Sequence, residues 1–418
     1  MISPSDITQF GIISVIPSLF LLGFIFYTKR ILEGLTLASL LAFLMAYKTG
    51  FFGEFSGTLT EVLTDGDTQW LFIVCGLMGS IIGLIEHSGG AEAFGNWVAK
   101  RAKTRKATLL WTWLLGIIIF IDDYLNSLTV GACMAPITDK HKTSREFLAY
   151  IVDSTAAPVC VLVPISTWAV YIGSLIEQAG GAAQGEGLKY FIQTIPYNFY
   201  GWTAAIIVPL VIIGIIPIFG PMKQAEKRAL KTGVLAPPGS HKMDIRASEH
   251  SESPENPRII NFFFDVCVTG IKQMLFPLLM VILALTFAKA NEKIGFLSFA
   301  ITTAQQLMTA ELLPLVIFIV LGITEFIMGL SWGMYAIAIP IVLPLANTLG
   351  ANPYLAVGAV CSAGVWGSHI CFYSDATILS SVASGCDNYR HAVTQMPFGF
   401  LGAIITAIMF IIAGFMGV

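Results

Sequence analysis

The sequence predicts an all-α polytopic membrane protein, and the composition and a series of long apolar runs are the observations that predict it. The 418 residues are 56% hydrophobic and 12% charged, whereas soluble domains carry about 25% charged residues. The apolar runs are long enough for membrane-spanning helices, and they cover residues 10–27, 31–47, 70–85, 108–121, 199–219, 274–287, 312–328 and 397–418. This composition excludes a water-soluble globular domain.

The cysteines argue against a zinc site and against a redox motif. All seven lie scattered in apolar segments and none forms a C-x-x-C pair, which either site would need. We expect no cofactor. The expected partners are membrane lipid and a small ion or small molecule, with no nucleic acid.

Basic residues between the apolar runs predict the orientation in the membrane. Lys29 and Arg30 follow the first run, and five Lys or Arg residues follow the third, between positions 100 and 106. These loops are expected in the cytoplasm. Residues 50–69 carry four acidic residues and no basic one, as expected of an external loop, so the start of the chain should lie outside.

Residues 108–138 are predicted to form a re-entrant hairpin. A simple crossing would place the basic residues Lys140, Lys142 and Arg145 on the wrong side. The first apolar arm, 108–121, makes about 21 Å of helix and ends in the polar run DDYLNS at 122–127. Non-helical backbone at membrane depth is tolerated only against protein or a cavity, so this tip is a candidate site.

The two halves of the chain repeat one plan. A helix over 146–176 is broken at 153–158, and a polar linker over 223–258 follows the span at 199–219. In the second half a hairpin over 312–346, interrupted at 329–333, precedes a helix over 353–384 that is broken at 374–377. Short amphipathic stretches at 91–103 and 294–308 precede the hairpins, and 389–391 is expected as a cytoplasmic loop. Counting crossings places the hairpins on opposite sides, which predicts inverted repeats.

Four aspartates inside apolar segments are the main candidates for function: Asp122, Asp123, Asp153 and Asp375. Each costs a few kcal/mol on membrane-insertion scales. Burial favours the protonated form of a carboxylate and a bound cation favours the ionised form, so one group can exchange H⁺ for Na⁺. Asp122 and Asp123 would lie about 100° apart on a helix, so we expect only one, Asp123, to face the site.

Neutral oxygens near these acids would complete a site for a hard cation. The expected ion-binding or substrate-binding set is Asp123, Asn126, Ser127, Thr129, Asp153, Ser154, Thr155, Ser331, Trp332, Ser374, Asp375 and Thr377. Within it, Na⁺ is expected at Asp153, Asp375 and Asn126. The alternative for the polar members is that they cap half-helices, but Asp153 and Asp375 recur at matching breaks, which favours a functional role.

Other conspicuous residues can be explained by a functional role or by an ordinary structural one. Asp122 and His369 are possible proton carriers, although a histidine bonded to backbone is an equally good explanation of His369. Trp332 lines a substrate pocket or packs the tip of the hairpin. Glu86, His87 and Glu325 are expected as interfacial groups near the ends of spans.

Several of these motifs resemble the NhaC-type Na⁺/H⁺ antiporter family, which belongs to a larger ion-transporter superfamily. The resemblance rests on residues 120–136, 153–158, 331–333, 374–381 and 385–387, and it covers most of the chain apart from the linker. It implies inverted repeats with opposed hairpins, a scaffold domain that dimerises and a transport domain that moves like an elevator.

Residues 367–375 depart from the family pattern. They lack its first acid and its proline, so one potential cation ligand is missing. Phe372 and Tyr373 instead add aromatic surface, as an organic solute would require.

The resemblance divides the chain into scaffold and transport segments. The scaffold comprises 1–107 with the first arm helix, the span at 177–221, and 259–309 with the second arm helix. A C-terminal span follows at 389–418. The transport domain comprises 108–176 and 310–388, each a hairpin and a broken helix. Residues 222–258 form the cytoplasmic linker.

The expected function is that of a secondary active transporter, not an enzyme, which exchanges Na⁺ for H⁺ across the cytoplasmic (inner) membrane by alternating access, as a homodimer. Na⁺-coupled or H⁺-coupled transport of a small amino acid or carboxylate is the nearest alternative. An intramembrane aspartyl hydrolase is more distant, because no activated nucleophile and no G-x-G-D sequence lies near the acids. A channel is disfavoured because the acids do not recur as a pore-lining series.

Overall fold

The computed structural model describes residues 10–28, 30–88, 103–240, 243, 259–304, 309–329 and 331–417. These residues form helices joined by turns, without a strand among them. Several of the helices are apolar and bent. The predicted class, an all-α polytopic membrane protein, is confirmed.

One helical layer combines the start of the chain with the first helix of the second half. Its members are α1 (Ile16–Thr28), α2 (Ile31–Tyr47), α3 (Phe51–Thr64), α4 (Gly66–His87) and α13 (Ile259–Lys293). Helix α13 packs against α2, α3 and α4. A Cβ atom added to Gly79 on α4 would lie 2.5 Å from the carbonyl oxygen of Gly270 on α13, so these two backbones touch.

The acidic segment 50–69, expected as a loop, is largely helical. Helix α3 occupies most of it and packs against α13, burying Thr58 and Val62. Glu54 and Glu61 on this helix lie 3.8 and 2.7 Å from the ammonium groups of Lys293 and Lys289 on α13. A charge pattern that suggested a loop therefore belongs to an amphipathic helix.

The first hairpin consists of α5 (Arg105–Ile118) and α6 (Asp123–Lys140), which pack together. The broken helix after it comprises α7 (Arg145–Thr155), the short α8 (Ala157–Cys160) and α9 (Thr167–Gln178). Ala156 ends α7 with a non-helical ψ of -97°, and Pro158 follows within the first turn of α8. The predicted break over 153–158 is therefore present.

The start of the expected linker is a docked helix. After α10 (Gly187–Thr194) and α11 (Phe199–Ile213), α12 (Gly220–Thr232) packs against α7. The guanidinium of Arg228 donates two hydrogen bonds, of 2.9 and 2.8 Å, to the carboxylate of Glu146. Glu226 of α12 likewise accepts a 2.9 Å bond from the backbone N–H of Ser144, so two charged groups of this helix have protein partners, unlike those of a solvated tether. Residues 241–242 and 244–258 of the linker lie outside the described residues.

The second half contains α14 (Phe296–Ala304), α15 (Leu313–Met328), α16 (Ser331–Leu349), α17 (Pro353–Ile370), α18 (Asp375–Ser384) and α19 (Asn388–Met416). Helices α17 and α18 meet at 46°, at the second predicted break. Residues 389–391, expected as a loop, form the first turn of α19. Residues 91–102 of the first amphipathic stretch and 305–308 of the second lie outside the described part of the chain, as do the side chains of Glu86 and His87.

The two halves interlock through equivalent elements. Helix α6 of the first hairpin packs on α18, and α16 packs on α9. By length and composition four helices within the described ranges are long and apolar enough to cross a membrane, or up to six if each bent pair counts as one span. Because α16 is among the four, the re-entrant character of the second hairpin stays a prediction.

Candidate functional site

A cavity of about 560 Å³ lies where the first hairpin, α16 and the start of α18 meet the layer that contains α13. We call it the outer cavity. The residues that matter for its chemistry are Asp122, Tyr124, Tyr171, Lys289, Trp332 and Asp375, all of which line it. The cavity thus brings together residues from both hairpins and both broken helices.

Asp122 lines the outer cavity and also caps α6. Its Oδ1 accepts hydrogen bonds from the backbone N–H groups of Tyr124 and Leu125, at 3.1 and 3.0 Å. Its Oδ2 accepts a 3.2 Å bond from the hydroxyl of Thr167. The capping alternative therefore describes Asp122 correctly, and the capping carboxylate also faces the cavity.

Asp123 lies behind the residues that line the outer cavity. Its side chain is 1% exposed, and its Oδ1 has no hydrogen-bond partner among the described residues. The structure thus separates the two neighbouring acids into a cavity-lining one, Asp122, and a buried one, Asp123.

Asp375 begins α18 and is held by the first hairpin. Its Oδ1 accepts a 2.8 Å bond from the N–H of Ala376, and its Oδ2 accepts a 2.6 Å bond from the hydroxyl of Tyr124. That hydroxyl accepts in turn from the indole N–H of Trp332, at 3.2 Å. Trp332 therefore both lines the cavity and positions the tyrosine that binds Asp375.

A second group of polar residues, the inner cluster, surrounds Asp153 at the end of α7. Its Oδ2 accepts a 2.6 Å bond from the amide of Gln395 and lies 3.3 Å from the hydroxyl of Thr377. The Ser374 hydroxyl lies 3.0 Å from that of Thr377 and donates to the carbonyl of Ser368 at 2.8 Å. Carboxylate, hydroxyl and carbonyl oxygens from both breaks thus converge here.

His369 bridges three helices through neutral partners. Its Nδ1 lies 2.8 Å from the hydroxyl of Tyr200 and its Nε2 lies 3.0 Å from the hydroxyl of Ser154. Both ring nitrogens are therefore occupied by hydroxyl groups on α11 and α7.

Asn126 ties the first hairpin to the first break. Its amide donates to the carbonyls of Gly116, Ile119 and Thr155, at 2.7, 2.6 and 3.0 Å. The Thr155 hydroxyl donates back to the carbonyl of Ile151 within its own helix. These contacts hold the hairpin turn against α7. The amide oxygen of Asn126 has no partner among the described residues.

The other predicted residues take different places. Ser127 lies 3.2 Å from Ser380, between α6 and α18, and Thr129 is half-buried on α6 outside the cavity wall. Ser331 donates a 3.0 Å bond to Glu325. Glu325, expected at an interface, is instead fully buried.

The aromatic surface expected from Phe372 and Tyr373 is absent from the outer cavity. Both side chains are fully buried, and the ring of Phe372 stacks on Tyr389 at 5.6 Å. The aromatic residues that line the cavity are Tyr124, Tyr171 and Trp332.

Sequence reasoning missed Tyr124, Gln395 and His391. Gln395 accepts a 2.8 Å contact from His391, four residues earlier on α19, and His391 Nε2 lies 3.7 Å from Asp153. Two polar residues spaced i, i+4 lie on one helix face. In a helix that is mostly apolar, that spacing is the signal that could have identified Gln395 and His391.

Comparison with known proteins agrees with this architecture. Residues 251–415 match the Na⁺/H⁺ antiporter family. The chain is 27% identical over 475 aligned residues to an uncharacterized protein of Haemophilus influenzae, covering 96% of this chain and 91% of that protein. A stretch of 98 residues is 31% identical to a malate-2H⁺/Na⁺-lactate antiporter of Bacillus subtilis, covering 23% of this chain and 21% of that protein.

The family match confirms the resemblance predicted from the sequence motifs. It supports a multi-pass membrane transporter of the cation/proton antiporter type. The matched residues include α18, which carries Asp375 and Thr377, and Gln395 on α19.

Proposed function

We propose that the protein exchanges Na⁺ for H⁺ across the cytoplasmic membrane by alternating access. The observation that carries this proposal is the inner cluster. Asp153 is 1% exposed. At a point where two helices break, its hydrogen-bond partners are the neutral groups of Gln395 and Thr377, and His391 Nε2 lies 3.7 Å away. Hard cations prefer such carboxylate, hydroxyl and carbonyl oxygens.

Charge balance explains why this arrangement favours exchange. An ionised carboxylate in an apolar segment is costly unless a positive charge accompanies it. In our proposal Na⁺ supplies that charge in one half of the cycle and a proton replaces it in the other. Asp375 and Asp122 line the access route. The outer cavity also includes Asp65, from the segment predicted to lie outside, so we assign it to the external side.

The test is intravesicular pH in proteoliposomes, followed with a fluorescent dye after pulses of Na⁺ and of K⁺. We expect a Na⁺-triggered pH change in the wild type that is lost in Asp153→Asn and in Asp375→Asn. Asp265→Asn changes an exposed acid on α13 and serves as the matched control. A wild type that is silent to Na⁺ would refute the proposal.

An elevator movement within a homodimer is the proposed route to alternating access. The hairpins and broken helices would move against the layer of α1–α4 and α13. Val281 on α13 and Trp332 on α16 both line the outer cavity, so a cross-link between cysteines placed there should stop transport. The seven natural cysteines are removed first. Undiminished transport after complete cross-linking would exclude movement between these two groups.

A second candidate is Na⁺-coupled or H⁺-coupled transport of a small organic solute. The volume of the outer cavity, about 560 Å³, lies within the range of small-molecule sites and greatly exceeds that of a bare ion. The matched Bacillus subtilis protein is named for organic acids. Saturable, Na⁺-dependent uptake of a labelled solute into vesicles would favour this candidate over pure cation exchange.

A further inference from the structure

The charges that line the outer cavity are predominantly negative. Asp65, Asp122 and Asp375 line it, against the single cation Lys289. The ammonium of Lys289 already lies 2.7 Å from the carboxylate of Glu61. Asp122 and Asp375 are 5% and 7% exposed, and within the described part of the chain neither has a cationic partner. Nearly buried charges are normally paired, so a positively charged ligand in the cavity would stabilise the ionised forms of Asp122 and Asp375.

The two carboxylates keep free capacity to accept hydrogen bonds. An ionised carboxylate offers about four acceptor positions. Asp375 uses two of them, for Ala376 and Tyr124. Asp122 uses three, for two backbone N–H groups and Thr167. Acceptor positions therefore remain on the two carboxylates for the N–H donors of an ammonium group.

The rest of the wall suits an organic body. The ring of Trp332 lies 4.6 Å from that of Tyr171 and is backed by Trp168 at 4.2 Å. Aromatic faces attract organic cations. Val281 and Leu285 supply apolar surface from α13.

We propose that the outer cavity binds an organic cation through a primary ammonium group, which is placed between Asp122 and Asp375 with its apolar body against Trp332 and Leu285. The inference deepens the second candidate function, coupled transport of a small organic solute, and rests on it, since the ammonium compound would be the cargo that a Na⁺ or H⁺ gradient drives. It also distinguishes this cavity from one built for organic acids, whose carboxylates the two aspartates would repel.

The test is equilibrium binding of radiolabelled n-butylamine to the purified full-length protein at pH 7 in a scintillation proximity assay. We expect saturable binding that unlabelled n-butylamine displaces and that n-butyrate, of similar size and opposite charge, does not. Asp122→Asn and Asp375→Asn should each weaken binding at least tenfold. Asp265→Asn, which makes the same change at an exposed position of α13 outside the cavity wall, should change it less than threefold.

Three outcomes would overturn the inference: no saturable binding to the wild type, displacement by n-butyrate as effective as by the amine, or unchanged affinity in both aspartate variants. The comparison of amine with acid uses the wild type alone, so it holds even if a variant fails to fold. The assay contains no ion gradient. Failure here is therefore distinct from failure of the Na⁺-triggered pH change, which is measured without any amine.

Discussion

The hydroxyl of Tyr124 donates a 2.6 Å hydrogen bond to Oδ2 of Asp375, across 251 positions of sequence. Tyr124 lies in the first turn of α6 and Asp375 begins α18. The bond therefore joins the tip of the first hairpin to the broken helix of the other half, at the wall of the outer cavity. Trp332 extends the connection to α16.

Tyr124→Phe should impair transport without unfolding the protein. The change removes the hydroxyl donor to Asp375 and keeps the ring. A hydrogen bond to a charged group contributes about 1.5–3 kcal/mol, so we expect the initial rate of Na⁺-dependent transport to fall about tenfold or more. Tyr190→Phe is the matched control, because Tyr190 packs on Tyr354 away from the cavity. Equal initial transport rates in the two variants would show that the hydroxyl of Tyr124 does not contribute to transport.

Gln395→Leu should damage the inner cluster. It takes the 2.6 Å amide donor from Asp153 and the partner of His391, while the new side chain has a similar volume. We expect the apparent KM for Na⁺ to rise about tenfold, measured from the Na⁺ dependence of the dye signal, because the carboxylate loses its orientation. Gln193→Leu, at an exposed position of α10, should leave this KM unchanged. An unaltered KM in Gln395→Leu would show that the amide does not position Asp153.

Gly131→Ala should destabilise the contact between the hairpin and the second broken helix. A Cβ atom at Gly131 would lie 2.4 Å from Cβ of Ala383 and 2.8 Å from its carbonyl carbon, so α6 and α18 would have to separate. Overpacking of this kind costs about 1–3 kcal/mol. We expect a lower apparent Tm in fluorescence-detected size-exclusion chromatography. Gly57→Ala on α3, with no atom within 4 Å of the added Cβ, is the control and should not lower it.

Arg228→Gln should lower stability through a charge left unpaired. The Glu146 side chain is 2% exposed and the Arg228 side chain 26% exposed. Breaking a buried ion pair costs about 3–5 kcal/mol, and the partial exposure of Arg228 reduces that figure. The apparent Tm should fall in Arg228→Gln and recover in part when Glu146→Gln is added.

An exposed ion pair provides the control for Arg228. Lys189 and Glu186 are 76% and 59% exposed, so Lys189→Gln should leave the apparent Tm unchanged. If the decreases in apparent Tm caused by Glu146→Gln and Arg228→Gln were strictly additive in the double variant, the two side chains would not interact and the pair would not anchor α12.

Local sequence predicted the helix breaks because they depend on local composition. Asp, Ser, Thr and Pro interrupt apolar runs at 153–158 and 374–377. The structure breaks at Ala156, within the first range, and at 371–374, which meets the start of the second. The same reasoning did not extend to the hairpin turn. The expected 100° separation of Asp122 and Asp123 assumes that both are helical, whereas Asp122 has an extended backbone with φ -150° and ψ 137°.

Long-range partners could not be predicted in this way. The bond between Gln395 and Asp153 spans 242 positions, and no local pattern specifies which helix faces which. Likewise, the polar composition of residues 220–232 fits both a solvated tether and a docked helix. Only the position of Glu146 and Ser144 beside α12 decides between them.

The contact between Gly79 and Gly270 limits how the outer cavity can be remodelled. At this crossing a backbone meets a backbone, and no rotamer change can widen or narrow the gap. Helix α13, which carries Gly270, also contributes Val281 and Leu285 to the cavity wall. In related proteins that accept larger or smaller compounds, we therefore expect changes at cavity-wall positions such as Val281 and Leu285. The helix crossing at Gly79 and Gly270 would stay the same.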